Sequence, residues 1–248
     1  MEAYAMGTMR NLPNSHPIYK LLRPHFRYTI AINLRARATL LVDGGIVDRV
    51  LAIGGEGRHE LMRRSTTSYN IHLTNIKRDT KERGVDDPKT LPGYYYRDDG
   101  LKLWNAMENY VRDIVDDFYQ DDEEVKSDSE LQKWADDIHT NGFPGYYGAE
   151  DGHGFPNQID SKETLIELCT LIIFTGSAQH SAVNFGQYQI NGFVPNAPSG
   201  LRRPPPTKKG ADYQDLLESL PGKLTSFLTI AVSNALSQYS PEEVCVSI

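Results

Sequence analysis

Residues 161–189 read SKETLIELCTLIIFTGSAQHSAVNFGQYQ, and this stretch decides the fold. In its first half, apolar side chains occupy every side of a helix: Leu165, Ile166, Leu168, Cys169, Leu171, Ile172, Ile173 and Phe174. A helix that is apolar all round is buried in the protein core. The pattern therefore predicts a buried central helix from Ser161 to about Gln189.

Helical spacing of apolar residues continues elsewhere in the chain. It predicts four further helices: from Met1 to Arg10, from about Ile18 to Leu41, from the capping residues Asp98 and Asp99 to Phe118, and around Leu131, Trp134 and Ile138. Pro24 should kink or divide the second of these, because proline removes a helical hydrogen bond. Alternating strand patterns of any length are absent, so the sequence predicts a mainly α fold built around the buried helix.

Three polar or glycine-rich segments are interpreted as irregular. Gly54 to Gly57 has no following Lys-Ser/Thr and no preceding strand, so we interpret it as a flexible turn rather than a phosphate loop. The acidic run from Asp121 to Glu124 lacks the alternation of an EF-hand loop, which favours a solvated loop over a calcium site. A loop rich in Gly, Pro and Tyr is predicted from Asn141 to Pro156.

Composition narrows the class of protein. The 248 residues include 26 basic and 33 acidic side chains, and the net charge of -7 disfavours a nucleic-acid partner. The two cysteines, Cys169 and Cys245, are too few for a disulfide framework, which favours a reducing, cytoplasmic setting. No apolar run is long enough for a transmembrane segment, and the N-terminus lacks the pattern of a signal peptide.

His180 and Asn184 lie four residues apart on the predicted buried helix, so their side chains leave the same face one turn apart. Gln187 follows on that face. A buried imidazole and a buried amide need polar partners. A metal ion is one such partner, and hydrogen bonds within the core are the alternative, which spacing alone leaves open.

The sequence around His180 and Asn184 is more specific than their spacing alone. The block from Phe174 to Tyr188, FTGSAQHSAVNFGQY, resembles the iron-binding helix of animal lipoxygenases. Other segments also resemble this family: His16-Pro17, the run Arg27 to Asn33, Tyr96-Arg97-Asp98-Asp99-Gly100-Leu101, Pro195-Asn196-Ala197-Pro198, and Arg203 to Thr207. The resemblance covers nearly the whole chain. Within the family, the sequence most resembles the arachidonate 5- and 8-lipoxygenase group.

This resemblance implies a non-haem iron dioxygenase. Such enzymes insert O2 into polyunsaturated fatty acids, such as arachidonate, and give hydroperoxides. The family holds iron through histidines, often an asparagine, and the carboxylate of a C-terminal isoleucine. By position, the resemblance assigns His180, Asn184 and Ile248 as iron ligands.

The resemblance also implies an elongated apolar pocket for the acyl chain. By analogy its lining includes Ile32, Ala36, Leu40, Leu41 and Gln187. Alanine at the position of Ala36 tends to accompany S-configured products in the family, whereas glycine tends to accompany R. We therefore expect S stereochemistry. A small residue that permits close helix packing is the structural alternative.

Compared with the family pattern, residues 1–248 are expected to form a partial catalytic domain. Three parts of the family pattern have no counterpart in these residues. They are the N-terminal β-sandwich, the His-x4-His helix that precedes the Met1 to Thr8 pattern, and a helical stretch after Tyr239. Iron binding is therefore expected to be weak. The alternative function is a catalytically inactive module that binds fatty acid or associates with a full-length lipoxygenase. A location peripheral to membranes is the alternative to the cytoplasm. A third outcome is an unstable product.

Overall fold

The computed structural model describes residues 1–142, 152–210 and 212–237. Its α-helices are α1 (Glu2–Asn11), α2 (Pro17–Leu22), α3 (Thr29–Thr39), α4 (Ile46–Val50), α5 (Gly54–Ser68), α6 (Ile76–Glu82), α7 (Tyr95–Phe118), α8 (Asp122–Ser127), α9 (Ser129–Asp137), α10 (Lys162–Phe174), α11 (His180–Asn184), α12 (Gln187–Asn191), α13 (Tyr213–Ser219) and α14 (Lys223–Leu236). Short 3-10 or π-helical turns lie at Arg23–Phe26, Ile71–Thr74, Ile138–Gly142, Gly152–Gly154, Thr175–Gln179 and Val194–Asn196. These ranges contain no strand, which confirms the predicted mainly α fold. None of their helices is long and apolar enough to cross a membrane.

The chain forms two compact units. The first comprises Met1–Asn33 and Arg63–His180, and the second comprises Leu34–Met62 and Ser181–Ile248. Each unit is therefore assembled from two separate parts of the sequence.

The core of the first unit forms where α10 packs against α7. The hydroxyl of Ser161 accepts a hydrogen bond from the backbone N–H of Thr164 and caps the start of α10. Every residue from Leu168 to Phe174 is buried, and the rings of Phe174 and Trp104 meet edge to face with centroids 5.3 Å apart. Burial of each large apolar side chain stabilises the fold by roughly 1.5–3 kcal/mol. The predicted buried helix is thus confirmed as far as Phe174.

Pro24 divides the second predicted helix rather than kinking it. α2 ends at Leu22, and Arg23–Phe26 forms a 3-10 turn. Tyr28 then adopts a left-handed backbone conformation with φ of 61° before α3 begins. The predicted division at Pro24 is therefore confirmed, and the proline break is followed by one residue of left-handed backbone.

The glycine-rich segment from Gly54 to Gly57 is helical, so the predicted flexible turn is wrong. It forms the first turn of α5. Arg58 lies immediately after it and is buried, and its guanidinium donates hydrogen bonds to Asp43 at 2.7 Å and to Asp48 at 2.6 Å. These paired charges tie the start of α5 to the loop that contains Asp43 and to α4, which contains Asp48, and they offset the low helix propensity of glycine.

Two acidic segments were assigned incorrectly from sequence. The run from Asp121 to Glu124 is not a solvated loop, because Asp122 to Glu124 form the first turn of α8. The side chain of Asp121 caps this helix by accepting hydrogen bonds from the backbone N–H groups of Glu123 and Glu124, both at 3.0 Å. Conversely, Asp98 and Asp99 do not cap α7, because that helix already begins at Tyr95. Asp98 lies in its first turn, where a carboxylate still complements the helix dipole.

The second unit packs α14 against α12 through small polar side chains. Thr229 and Ser233 are buried, and the amide of Asn191 donates to the hydroxyl of Ser233 at 3.4 Å. The backbone N–H of Tyr188 donates to the hydroxyl of Ser237 at 3.1 Å. The opposite face of α14 is apolar and exposed, and consists of Leu224, Phe227, Ala231 and Ala235. The helix therefore turns its polar stripe inward and its apolar stripe outward.

Candidate functional site

The helix that contains His180 changes its hydrogen-bonding pattern just before that residue. α10 ends at Phe174, and Thr175–Gln179 form a π-helical turn before α11 begins. Burial also ends here, because each residue of the π-helical turn is only partly buried. The single continuous helix expected up to Gln189 is therefore wrong: a further break at Phe185 and Gly186 separates α11 from α12. π-Helical turns within helices occur frequently at functional sites.

His180 and Asn184 are the first and last residues of α11. Their four-residue separation places both side chains on one face of this helix, as the sequence predicted. His180 is exposed and Asn184 is partly buried, so the expectation of a buried imidazole is wrong. The apolar run ends at Phe174, and the polar residues that follow do not form an all-round apolar helix.

Gln187 lies beside Asn184, as expected for residues of one face. Its side-chain amide donates a hydrogen bond of 3.2 Å to the Oδ1 atom of Asn184. An amide oxygen has two lone pairs, so this hydrogen bond is compatible with a bond from the same oxygen to a metal ion. Such a contact orients a ligand side chain.

The residue before His180 is also held by a side chain. The amide of Gln179 donates a hydrogen bond of 3.1 Å to the hydroxyl of Tyr96, which lies in the first turn of α7. Periodicity does not reveal this contact, because the two residues are 83 positions apart in sequence. Sequence reasoning singled out neither residue for a role at the site.

Comparison with known proteins decides the family. The lipoxygenase family model matches residues 1–247. The chain belongs to the lipoxygenase family. It is 44% identical over 243 residues to the allene oxide synthase-lipoxygenase protein of Plexaura homomalla, which covers 98% of this chain. It is 42% identical over 221 residues to the human polyunsaturated fatty acid lipoxygenase ALOX15B, which covers 89% of this chain.

Solved lipoxygenase structures share the fold. Coral 8R-lipoxygenase matches 97% of this chain with a TM-score of 0.91 and 43% sequence identity. A lipoxygenase variant crystallised with arachidonate matches with the same TM-score and coverage at 44% identity. This chain spans 23% of the coral allene oxide synthase-lipoxygenase protein, 32% of ALOX15B and about 35% of these structures.

The residues assigned to the acyl pocket lie on three segments. Ile32 and Ala36 are one turn apart on α3, where the side chain of Ile32 is exposed and Ala36 is partly buried. Leu40 and Leu41 follow the helix, and both of their backbone N–H groups donate to the carbonyl oxygen of Ala36. Gln187 begins α12. The role of these five residues in a pocket stays a prediction.

The His180 and Asn184 pair fits part of an iron site by the chemistry of its donors. Imidazole nitrogen and amide oxygen both suit iron, for which two histidines and a carboxylate are a common minimal set. The third assigned ligand, Ile248, lies outside the described residues, as do Cys245 and the segment after Tyr239. In the described part of the chain, one group of three His, Cys, Asp or Glu side chains lies close enough to share a metal ion, and His180 is not in it.

That group is His16, Asp128 and Glu130, which sequence reasoning did not bring together. The Nδ1 atom of His16 accepts a hydrogen bond from the backbone N–H of Ile18 at 3.1 Å, and its Nε2 atom lies 3.1 Å from Asp128. Both ring nitrogens therefore already have protein partners. We interpret this cluster as a structural contact that connects the start of α2 with the start of α9.

Proposed function

We propose that this chain carries part of the active site of a lipoxygenase-type, non-haem iron fatty-acid dioxygenase. Residues 1–248 would form part of the catalytic domain, with His180, Asn184 and the Ile248 carboxylate as iron ligands. The observation that supports this most directly is the placement of His180 and Asn184 at the two ends of α11, directly after a π-helical turn. Membership of the lipoxygenase family supports fatty-acid dioxygenase function in general.

In this proposal the substrates are O2 and a polyunsaturated fatty acid such as arachidonate, and the product is a hydroperoxide. Bound iron would supply the one-electron chemistry that removes a hydrogen from the methylene between two cis double bonds, so that O2 adds to the carbon radical. Gln187 would orient the amide of Asn184. Ile32, Leu40 and Leu41 would hold the acyl chain, while the small Ala36 favours the S product. A cytoplasmic location is part of this proposal.

The isolated chain of 248 residues should bind iron weakly. His180, Asn184 and the Ile248 carboxylate are three donors, whereas tight divalent sites use more donors and an ordered surrounding shell. The exposure of His180 leaves water free to compete for the same coordination position. The proposed function therefore assigns iron ligands to this chain but predicts incomplete occupancy when the chain is purified alone.

Substitution of single histidines tests the ligand assignment. We expect the purified chain, loaded anaerobically with Fe2+, to retain a fraction of one iron per chain. His180→Gln should reduce that fraction by roughly tenfold, because loss of a residue that only hydrogen-bonds to a ligand already changes metal affinity by ~10–100-fold. His59→Gln is the matched control, since its imidazole is exposed and bonds to Asp43. Equal iron content in all three proteins, measured by mass spectrometry after gel filtration, would refute the assignment.

The second candidate is a catalytically inactive module that binds a fatty acid or a full-length lipoxygenase, and the outward apolar stripe of α14 favours it. Phe227 is 64% exposed and Leu224 is 71% exposed. Contiguous exposed apolar surface commonly marks a binding surface. Co-purification with human ALOX15B that is lost in Phe227→Ser, without iron-dependent turnover by the chain, would favour this candidate over the dioxygenase.

A further inference from the structure

We propose that Tyr96 is a positioning residue for His180 and acts through Gln179. This inference rests on the proposed function, because it concerns the orientation of a proposed iron ligand. Its basis is the 3.1 Å hydrogen bond from the Gln179 amide to the Tyr96 hydroxyl, together with the π-helical turn that Gln179 completes. All the residues involved belong to the first unit.

The π-helical turn creates the need for such a contact. A π-helical hydrogen bond spans one residue more than an α-helical one, so a single π turn shifts the residues that follow it around the helix axis. The direction of His180 is therefore not fixed by α10 alone. The turn ends at His180, whose backbone N–H donates a hydrogen bond to the carbonyl oxygen of Ser177. A side-chain contact at Gln179, the residue directly before His180, is placed where it can set that direction.

Tyr96 is a suitable anchor because its surroundings are packed. It contacts the apolar cluster formed by Ile76, Trp104, Leu171 and Phe174. The neighbouring residue Arg97 is fully buried. The ring centroid of Tyr96 lies 6.1 Å from the ring centroid of Tyr94. The hydroxyl of Tyr96 is therefore presented from the rigid first turn of α7 and not from a mobile loop.

The rest of the π-helical turn is also confined. A Cβ atom on Gly176 would lie 2.7 Å from the terminal carbon of Met1, so a larger residue there would displace the end of this flexible side chain. The hydroxyl of Ser177 donates a 2.5 Å hydrogen bond to the carbonyl oxygen of Ile173. The Ser177 bond therefore holds the middle of the turn, and the Tyr96 bond holds its end.

A double-mutant cycle tests the proposal on the full chain of 248 residues. The variants are Tyr96→Phe, which removes the hydroxyl alone, Gln179→Met, which removes the amide, and the double variant. Tyr95→Phe is the matched control, because Tyr95 is the adjacent residue and is 75% exposed. Two readouts are used: hydrogen exchange of the amides from residues 175 to 180, and binding of Co2+ alone, followed by NMR of the His180 ring signals, which are assigned with His180→Gln.

We expect Tyr96→Phe and Gln179→Met each to accelerate exchange in the turn and to weaken Co2+ binding at His180 by roughly tenfold, as for other residues that orient ligands. The double variant should show no further loss, since both changes remove one bond. The urea midpoint should stay close to that of Tyr95→Phe. Unchanged exchange and unchanged Co2+ affinity in Tyr96→Phe would overturn the proposal, as would additive losses in the double variant.

Failure of the proposed function gives a different result. If the unsubstituted chain shows no effect of Co2+ on the His180 signals, the ligand assignment is contradicted. The exchange measurement then decides the positioning role alone: faster exchange in both single variants and no further increase in the double variant support it, and unchanged exchange overturns it.

Discussion

Replacement of Arg97 by Met should lower the free energy of unfolding by about 2–4 kcal/mol, because several hydrogen bonds from one buried guanidinium are lost together. The Arg97 side chain is fully buried. Its Nη1 atom donates to the carbonyl oxygens of Val85 and Leu91, both at 2.9 Å, and its Nε atom donates to Asp98 at 2.8 Å. Methionine fills similar space but leaves these oxygens without their donors.

The loss should be measured by urea denaturation, with limited proteolysis as a second readout. The loop between α6 and α7 receives the Arg97 hydrogen bonds, so proteases should cut it sooner in the variant. Lys102→Met is the control, because Lys102 forms an i,i+3 ion pair with Asp99 at the surface, and we expect a change of less than about 1 kcal/mol there. If Arg97→Met does not fold, Arg97→Lys, which keeps the charge but loses the planar fork, should give a smaller loss. Equal stability of Arg97→Met and Lys102→Met would contradict this account of the loop.

Asp128→Asn should lower the free energy of unfolding by about 2–4 kcal/mol at neutral pH, through loss of charge-assisted hydrogen bonds. One carboxylate oxygen of Asp128 caps α9 by accepting from the N–H groups of Glu130 and Leu131. The other accepts from the hydroxyl of Tyr119 at 2.7 Å and lies 3.1 Å from the Nε2 atom of His16. Since the Nδ1 atom of His16 accepts from Ile18, Nε2 is assigned as the donor to Asp128.

The pH dependence should show the same interaction. Partial burial pushes the pKa of Asp128 up, but hydrogen bonds from His16, the Leu131 backbone and Tyr119 outweigh it and hold that pKa well below its usual range. A carboxyl group with a lowered folded-state pKa stabilises the protein fully above the unfolded-state pKa of about 4, and this contribution is lost as the pH falls below it. Urea titrations should therefore show a smaller loss of stability below pH 4 in Asp128→Asn than in the unsubstituted chain.

Asp121→Asn provides the matched control for Asp128→Asn. Asp121 also caps a helix, by accepting hydrogen bonds from the backbone N–H groups of Glu123 and Glu124. Asparagine caps helices about as well as aspartate. Its substitution should therefore leave stability nearly unchanged, and an equal loss in both variants would show that capping, and not the contact with His16 and Tyr119, explains the effect at Asp128.

Periodicity predicted the parts of the fold that burial controls. The run from Leu165 to Phe174 and the apolar positions of α7 pack together as expected, because apolar spacing records which face meets the core. Local rules failed where distant polar partners decide the structure. Gly54 to Gly57 is helical because Arg58 is clamped by Asp43 and Asp48, and composition does not reveal that clamp.

The sequence predicted which residues form the candidate site but not the structure that surrounds them. Helical spacing and family resemblance placed His180 and Asn184 on one face, and the helix bounds agree with that. The sequence did not predict the π-helical turn or the exposure of His180. A single π-helical turn differs from an α-helical one by one residue, which is too little to show in the spacing of apolar side chains. The contact between Gln179 and Tyr96 depends on how α7 packs against the helix, which only the folded chain shows.

The central claim is that this chain holds part, and not all, of a lipoxygenase iron site. The most direct measurement combines iron analysis of the purified, Fe2+-loaded chain with absorbance monitoring of conjugated-diene formation from arachidonate. The account predicts well under one iron per chain and no diene formation above that of His180→Gln. About one iron per chain, with diene formation that disappears in His180→Gln, would contradict it and would show that these 248 residues complete the site themselves.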